Sequence, residues 1–356
     1  MNEKVLVALS GGVDSAAAAL ILTEKGYKTA GATMKLCTKD DGEKDGENVT
    51  VPTQDIIDAK SICDALGIEH YAVSYNKSFC KNVIESFIDE YKNGGTPNPC
   101  VECNRKIKFG VLLDFAISKG FDRLATGHYA KIERTQGGRH LLKCAADKNK
   151  DQSYFLWSLT GEQLSRVLFP LGDMTKDEIR ALAAAHGFSN AHKSDSQDIC
   201  FIPDGDYARF IKEYTNETFP TGDFIDLSGN VLGKHSGIIN YTVGQRKGLG
   251  IALGKPAFVK EKNVTSNTVT LCDDAELYSK TVTAISANFS AVDKLDAPTR
   301  LYAKIRYRHT PAIAMVTQTS ETSFTVEFDE PQRAAAKGQS VVLYDEDVVV
   351  GGGIIN

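Results

Sequence analysis

The chain has 356 residues, enough for two or three domains with separate cores. Its 42% hydrophobic and 24% charged residues are ordinary globular values, which excludes a disordered tail protein, a collagen-like chain and a coiled-coil rod. A net charge of −5 argues against a general nucleic-acid coat but leaves room for a local basic surface, since a polyanion feels the nearby field more than the total. No apolar run approaches the roughly 18 residues of a membrane span. The start, Met1-Asn2-Glu3-Lys4-Val5, enters a short apolar run with no signal-peptide pattern, so a cytoplasmic protein without a membrane partner is expected. Eight cysteines in a chain this long do not make a disulfide scaffold. Cys100 and Cys103 form a C-x-x-C; Cys37, Cys63, Cys80, Cys144, Cys200 and Cys272 stand apart.

In chain order, Lys4–Leu9 reads as a buried strand, Ser15–Lys25 as a helix and Lys28–Met34 as a second strand. A polar stretch, Thr38–Gln54, interrupts the order as a flexible excursion. Asp55–Leu66 has helical spacing, with Ile56, Ala59, Ile62, Cys63 and Leu66 on one face. Ile68–Ser74 is a strand, Lys77–Lys92 and Lys108–Ser118 are helices, and Phe121–Thr126 is a strand. Strands alternating with helices predict a doubly wound parallel sheet over residues 1–205. Thr175 and Glu178 form a capping box for a helix read as an ordinary surface helix. Beyond residue 205 short β-rich runs are punctuated by Gly and Pro, which predicts two small mainly-β domains, at 206–275 and 276–356. Arg300, Lys304, Arg306 and Arg308 fall within nine residues containing no acid, a local basic surface visible in the chain.

Ser10-Gly11-Gly12-Val13-Asp14-Ser15 lies between the first strand and the first helix. Glycines permit close backbone approach, and a helix N-terminus presents unpaired N–H groups to an anion. No lysine follows the glycines, so this is not the loop that grips a β/γ-phosphate through G-x-x-x-x-G-K. In Thr96-Pro97-Asn98-Pro99-Cys100-Val101-Glu102-Cys103-Asn104-Arg105-Lys106-Ile107-Lys108, the prolines stiffen the approach to the cysteines. Positive neighbours and a following helix would favour a Cys103 thiolate. The alternative, a structural zinc half-site, lacks a second Cys/His pair. Cys200, between Ile199 and Phe201, reads on local sequence as a small buried hydrophobe.

The loop resembles that of the ATP pyrophosphatases. With T-P-N-P-x-x-x-C-N, Gly127-His128-Tyr129-Ala130, Lys150-Asp151-Gln152-Ser153-Tyr154-Phe155-Leu156, Ile199-Cys200-Phe201-Ile202, Gly244-Gln245-Arg246-Lys247-Gly248-Leu249-Gly250-Ile251 and the terminal Gly351-Gly352-Gly353, the whole chain resembles the tRNA-specific 2-thiouridylases. That resemblance implies an ATP site from Ala8, Leu9, Ser10, Gly11, Gly12, Val13, Asp14, Ser15, Met34 and Gly127, with Asp14 on Mg2+. It implies that Asn98, Pro99 and Cys100 face the target base, that Cys103 and Cys200 are catalytic, and that Lys150, Asp151, Gln152, His128, Arg306, Tyr307 and Gln339 contact tRNA. A sulfur-donor protein or a sulfide source is the implied second partner.

One position departs from the family: many members have aspartate where Cys100 stands. A thiol is a softer ligand than a carboxylate, so Cys100, Cys103 and Cys200 could together hold an iron–sulfur cluster, as an alternative to a persulfide on Cys200. Two other readings stay open on sequence. A small-molecule ligase would share the loop but give no role to Cys103 and Cys200. A nucleotide-gated RNA-binding protein would use the β domains without chemistry.

Overall fold

A computed structural model describes residues 2–36, 44–188 and 199–356. Strands β1 (Lys4–Ala8), β2 (Lys28–Lys35), β3 (Glu69–Ser74), β4 (Arg123–Ala125) and β7 (Val167–Leu168) form a parallel sheet in the order β3-β2-β1-β4-β7. Alternate residues of β1 serve opposite faces, as the two-residue period of a strand requires. Val5 and Val7 pack with helices α1 (Val13–Glu24) and α2 (Gln54–Leu66), while Leu6 joins Ala30, Leu124 and Leu112 on the other side. The doubly wound expectation is met, and the phosphate loop lies at the C-terminal end of β1, where such sheets bind ligands.

The polar excursion is only partly described, since 37–43, with Cys37, lie outside the described residues. Its remainder is not loose. Val49 donates to the Ala72 carbonyl, and Glu47 and Gly46 exchange backbone bonds with Ser74, so this segment covers the β3 edge.

Two helical runs contain π turns. Residues 76–92 are wound as π over Cys80–Ile84, and residues 99–118 over Cys103–Val111. The second run starts at Pro99, nine residues before the expected Lys108, because proline is well suited to the first helical position. Cys103 therefore sits inside a helix rather than ahead of one.

Strands β8 (Gly222–Ile225), β9 (Val231–His235), β10 (Phe258–Asn263) and β11 (Thr268–Cys272) form a four-stranded sheet ordered β10-β11-β8-β9. In the C-terminal part β12 (Tyr278–Phe289), β15 (Ser323–Arg333), β14 (Ala312–Ser320), β13 (Thr299–Lys304), β16 (Ser340–Asp345) and β17 (Val348–Ile355) follow one another, and pairing of β12 with β17 closes the barrel. The same sheet recruits a hairpin from the first half of the chain, β5 (Ala130–Arg134) and β6 (His140–Cys144), through Val348 opposite Lys143. Nothing in the alternating sequence of the first 205 residues had separated that hairpin from the nucleotide-binding sheet.

The terminal glycines have a packing reason. A Cβ on Gly352 would lie 2.8 Å from the Trp157 ring, so the strand can pass beneath the indole only without a side chain. Trp157 is buried, and its Nε1 donates to Ser340 Oγ at 3.0 Å. Asn288 Nδ2 donates to the Trp157 and Leu159 carbonyls. The Tyr154–Leu159 segment is thus built into the flank of the barrel. No helix among the described residues is long and apolar enough to cross a membrane.

Candidate active site

The loop after β1 is shaped by its own side chains. Leu9 and Val13 are buried and anchor it, while Ser10, Gly12, Asp14 and Ala8 keep access to solvent. Ser15 Oγ donates to the Gly12 carbonyl at 3.0 Å and accepts from Ser10 N at 3.1 Å, drawing the chain into a cup. Gly12 is the N-cap of α1 and caps no amide with a side chain, which leaves the first-turn N–H groups for an anion. Gly127 closes the cup: a Cβ there would meet Asp14 C and Ser15 N at 2.8 Å. Met34, at the end of β2, touches the cores on both sides of the cysteine helix.

The lysine missing from the loop comes from elsewhere. Lys176 Nζ lies 2.8 Å from both Asp14 oxygens and its side chain is only 6% exposed. The Tyr129 hydroxyl donates to Asp14 Oδ1 at 2.8 Å. The Thr175 capping box is present, and it sets Lys176 at the start of the Lys176–Ala185 helix, where the side chain reaches the loop. The surface-helix reading is therefore corrected at this end; the signal was in the capping box, but its direction was not. For Mg2+, one carboxylate already facing an ammonium is a poor resident site. It suits a metal that arrives with nucleotide phosphates, which supply most of the oxygens.

The second half of the site is made of sulfur. Cys100 and Cys200 are exposed, and Cys103 is half-buried. Cys200 is not the buried hydrophobe of its local sequence. It occupies a turn closed by Ile202 N on the Ile199 carbonyl, while Phe201 and Ile202 carry the burial. Phe201 packs edge-on against Phe79 at 5.7 Å and Phe87 at 5.4 Å, which fixes the turn against the 76–92 helix. Residues 189–198, which precede this turn, lie outside the described residues.

The electrostatics reverse the thiolate expectation. Burial pushes the Cys103 thiol up to about 12, and Lys108 offsets this only in part. Enclosure of the sulfur likewise raises Cys100 and Cys200, with Lys108 opposing in both cases. Of the other positive neighbours, Arg105 is spent on Glu102, at 2.7 Å. Among the described residues no three His, Cys, Asp or Glu side chains converge as a metal site. The three cysteines therefore do not form the thiolate set an iron–sulfur cluster requires.

The loop carrying Asn98 and Cys100 is held from both β domains. Lys262, from β10, donates to the Gly95 carbonyl at 3.0 Å. Gln339 Nε2 donates to the Thr96 and Pro97 carbonyls at 2.9 and 3.3 Å, and Thr96 N donates to the Lys337 carbonyl. Pro99 is buried and Cys100 exposed, while the half-buried Asn98 is hydrogen-bonded through its side chain to Tyr154. Sequence reading had no signal for Lys262.

Several residues expected on tRNA have internal partners. Asp151 is buried and accepts from Ala145 N, Ser153 N and Ser153 Oγ. Gln152 exchanges two bonds with Tyr129. Arg306 Nη2 donates to the Val243 and Ala334 carbonyls, joining the two β domains. Arg300 pairs with Asp329, so the basic run is not one continuous surface. His128 is buried, bonded to Thr126 and Lys108. Lys150 and Tyr307 are half-exposed, with the Tyr307 ring tilted against Phe155 at 4.4 Å.

Residues 3–204 match the family profile described as tRNA methyl transferase HUP domain, 208–273 the tRNA methyl transferase PRC-barrel domain, and 279–355 the aminomethyltransferase beta-barrel domain. The tRNA-specific 2-thiouridylase MnmA of Acetivibrio thermocellus is 49% identical, over 99% of both chains. The protein of that name from Clostridioides difficile is 46% identical, over 100% of this chain and 98% of its own. Among solved structures, the U34-tRNA thiolase NcsA from Methanococcus maripaludis, with its [4Fe-4S] cluster, is 23% identical with a TM-score of 0.34, covering 60% of this chain and 65% of that one. That score is too low to transfer the cluster. Family profiles that together run from residue 3 to 355, with 46–49% identity over nearly the full length of the 2-thiouridylase relatives, lead to one assignment: the chain belongs to the tRNA-specific 2-thiouridylase family.

Proposed function

We propose that the protein thiolates C2 of the wobble uridine of tRNA in the cytoplasm, using MgATP and a persulfide on Cys200. The observation that carries this reading is the continuity of Gly127, His128 and Tyr129. Gly127 abuts the loop, the Tyr129 hydroxyl donates to Asp14, and His128 between them contacts Lys108 beside the cysteines. In this reading nucleotide and sulfur meet across three adjacent residues.

In the first half-reaction the uridine O2 attacks the α-phosphorus of ATP, and the bond to pyrophosphate breaks. The first-turn N–H groups of α1 and the Lys176 ammonium stabilise the charge on the departing phosphates, with Mg2+ carried in by the nucleotide. In the second, the terminal sulfur of a Cys200 persulfide attacks C2 and AMP leaves. Cys103, shedding its thiol proton to solvent as it attacks Cys200 Sγ, displaces the transferred sulfur, which keeps the electron pair of the S–S bond, and a Cys103–Cys200 disulfide remains for an external thiol to reduce. The persulfide is loaded by a sulfur-donor protein or a sulfide source.

Among the residues expected on tRNA, Lys150 and Tyr307 offer contact surface. Asp151, Gln152, Arg306 and Gln339 act by holding the surrounding loops. Pyrophosphate release from MgATP that depends on tRNA, with 2-thiouridine appearing in the digested nucleosides, is the expected result. Release driven by a small metabolite, or none at all, would overturn the assignment.

A further inference from the structure

Lys108 bears electrostatically on all three active-site sulfurs, and a feature of the helix places it there. Cys103 and Lys108 are five residues apart. In an ordinary α-helix five residues overshoot one turn by about 140°, which would carry Lys108 to another face. The Cys103–Val111 segment is wound as π, in which hydrogen bonds close from i to i+5, so the two residues fall on the same face of the helix. Cys100 stands three residues before Cys103, on the turn preceding it.

The far side of the ammonium is also built. Lys108 Nζ lies 3.4 Å from His128 Nε2, and His128 Nδ1 lies 2.7 Å from Thr126 Oγ1. An ammonium has no lone pair to offer, so it donates and Nε2 accepts; Nδ1 therefore carries the proton and donates to Thr126. His128 is buried, and both its burial and the nearby Lys108 charge hold it well below the ordinary imidazole range. A neutral imidazole locked in this tautomer is an acceptor that keeps the lysine side chain in place. It adds no competing positive charge.

We propose that Lys108, positioned by His128 and by the π turn, is a catalytic residue of sulfur transfer: its ammonium binds the terminal sulfur anion of the Cys200 persulfide as that sulfur attacks C2. This rests on the thiolation reading above. The lysine keeps its proton throughout. The sulfur pair forms the bond to C2, AMP departs with the electrons of the C–O bond, and Cys103 displaces the product sulfur as already described. Burial otherwise favours neutral sulfur in this pocket, and a fixed cation is what makes an anionic sulfur nucleophile tenable there.

The experiment compares wild type, K108M and K108R in the full-length protein with tRNA and a persulfide donor. The first readout is 2-thiouridine formed per pyrophosphate released. It should fall about 100-fold in K108M, the size typical of losing one charge-stabilising group, and recover to within tenfold in K108R. The second readout is the ratio of alkylation rates at Cys200 by anionic iodoacetate and neutral iodoacetamide, followed by peptide mass spectrometry. A cation at the sulfur favours the anion, so the ratio should drop about tenfold in K108M; a purely structural lysine would slow both reagents alike. Product per pyrophosphate within threefold of wild type in K108M, or an unchanged reagent ratio, overturns the proposal. Failure of the wild type to release pyrophosphate with tRNA sinks the thiolation reading itself, whatever the alkylation ratio.

Discussion

The phosphate loop and the cysteine pocket solve the problem of positioning in opposite ways. The loop is contiguous, spanning Ser10 to Ser15, and what it offers an anion is chiefly backbone N–H groups, its shape held by the Ser15 hydroxyl. The cysteines come from separate segments: Phe201 seats the Cys200 turn on the 76–92 helix, and two β domains hold the loop before Cys100. A site made from backbone tolerates side-chain change around it. A site made from distant side chains depends on every contact that brings them together.

The sharpest way to break that comparison is to delete the sulfurs. Cys200→Ser and Cys103→Ser should each lower 2-thiouridine formation by about 10³-fold or more, since a serine hydroxyl cannot carry or resolve a persulfide. Thiolation in either variant within tenfold of wild type would reassign the chemistry.

On the loop side, Asp14→Asn should reduce tRNA-dependent pyrophosphate release by about 10²-fold. It should also cost stability, on the order of 2–3 kcal/mol, because Lys176 is left buried without its carboxylate. Denaturant unfolding tests the second effect independently of activity, and an unchanged midpoint would mean that Lys176 finds another partner.

Phe201→Ala probes the anchor. Removing a buried ring with two edge-on neighbours should destabilise the protein by about 3 kcal/mol and lower sulfur transfer more than adenylation. Equal losses in both half-reactions would show that the Cys200 turn does not rely on the ring.

A pH measurement sharpens the same contrast. The Cys103 thiol is raised to about 12 in the fold against roughly 8.5 unfolded, so folding favours its protonated form. Its contribution is complete below pH 8.5 and is lost as pH rises toward 12. At pH 10 that loss amounts to about 2 kcal/mol, and Cys103→Ser should remove it from the fall in unfolding free energy between pH 8 and pH 10. A fall of the same size in the serine variant would contradict the assignment.

The smallest effect is expected at Gln339. Gln339→Ala frees the Thr96 and Pro97 carbonyls and should slow thiolation about fivefold, the scale of one net hydrogen bond. A change confined to the KM for tRNA, with an unaltered turnover number, would favour direct contact with tRNA over support of the loop.

Residue types and local spacing were sufficient for the strand–loop–helix after β1, for β1, β2 and the two leading helices, and for the β texture of the later part of the chain, although Tyr207–Thr215 is helical. These features depend on interactions within a dozen residues, which local sequence encodes directly. The partner of Asp14 was beyond such reading, because Lys176 lies 162 positions away. So was the recruitment of the β5–β6 hairpin by the C-terminal barrel, since an alternating strand pattern does not say which sheet it joins. The state of the thiols was misjudged for a related reason. Charged neighbours in sequence suggested a thiolate, but Arg105 turned to Glu102 and burial raised Cys103, and burial is a property of the assembled core. The sequence by itself determined which chemical groups were available and how each short segment would fold. Only the tertiary structure decided which of those groups face one another and which lose water, and those two quantities set their charge and reactivity.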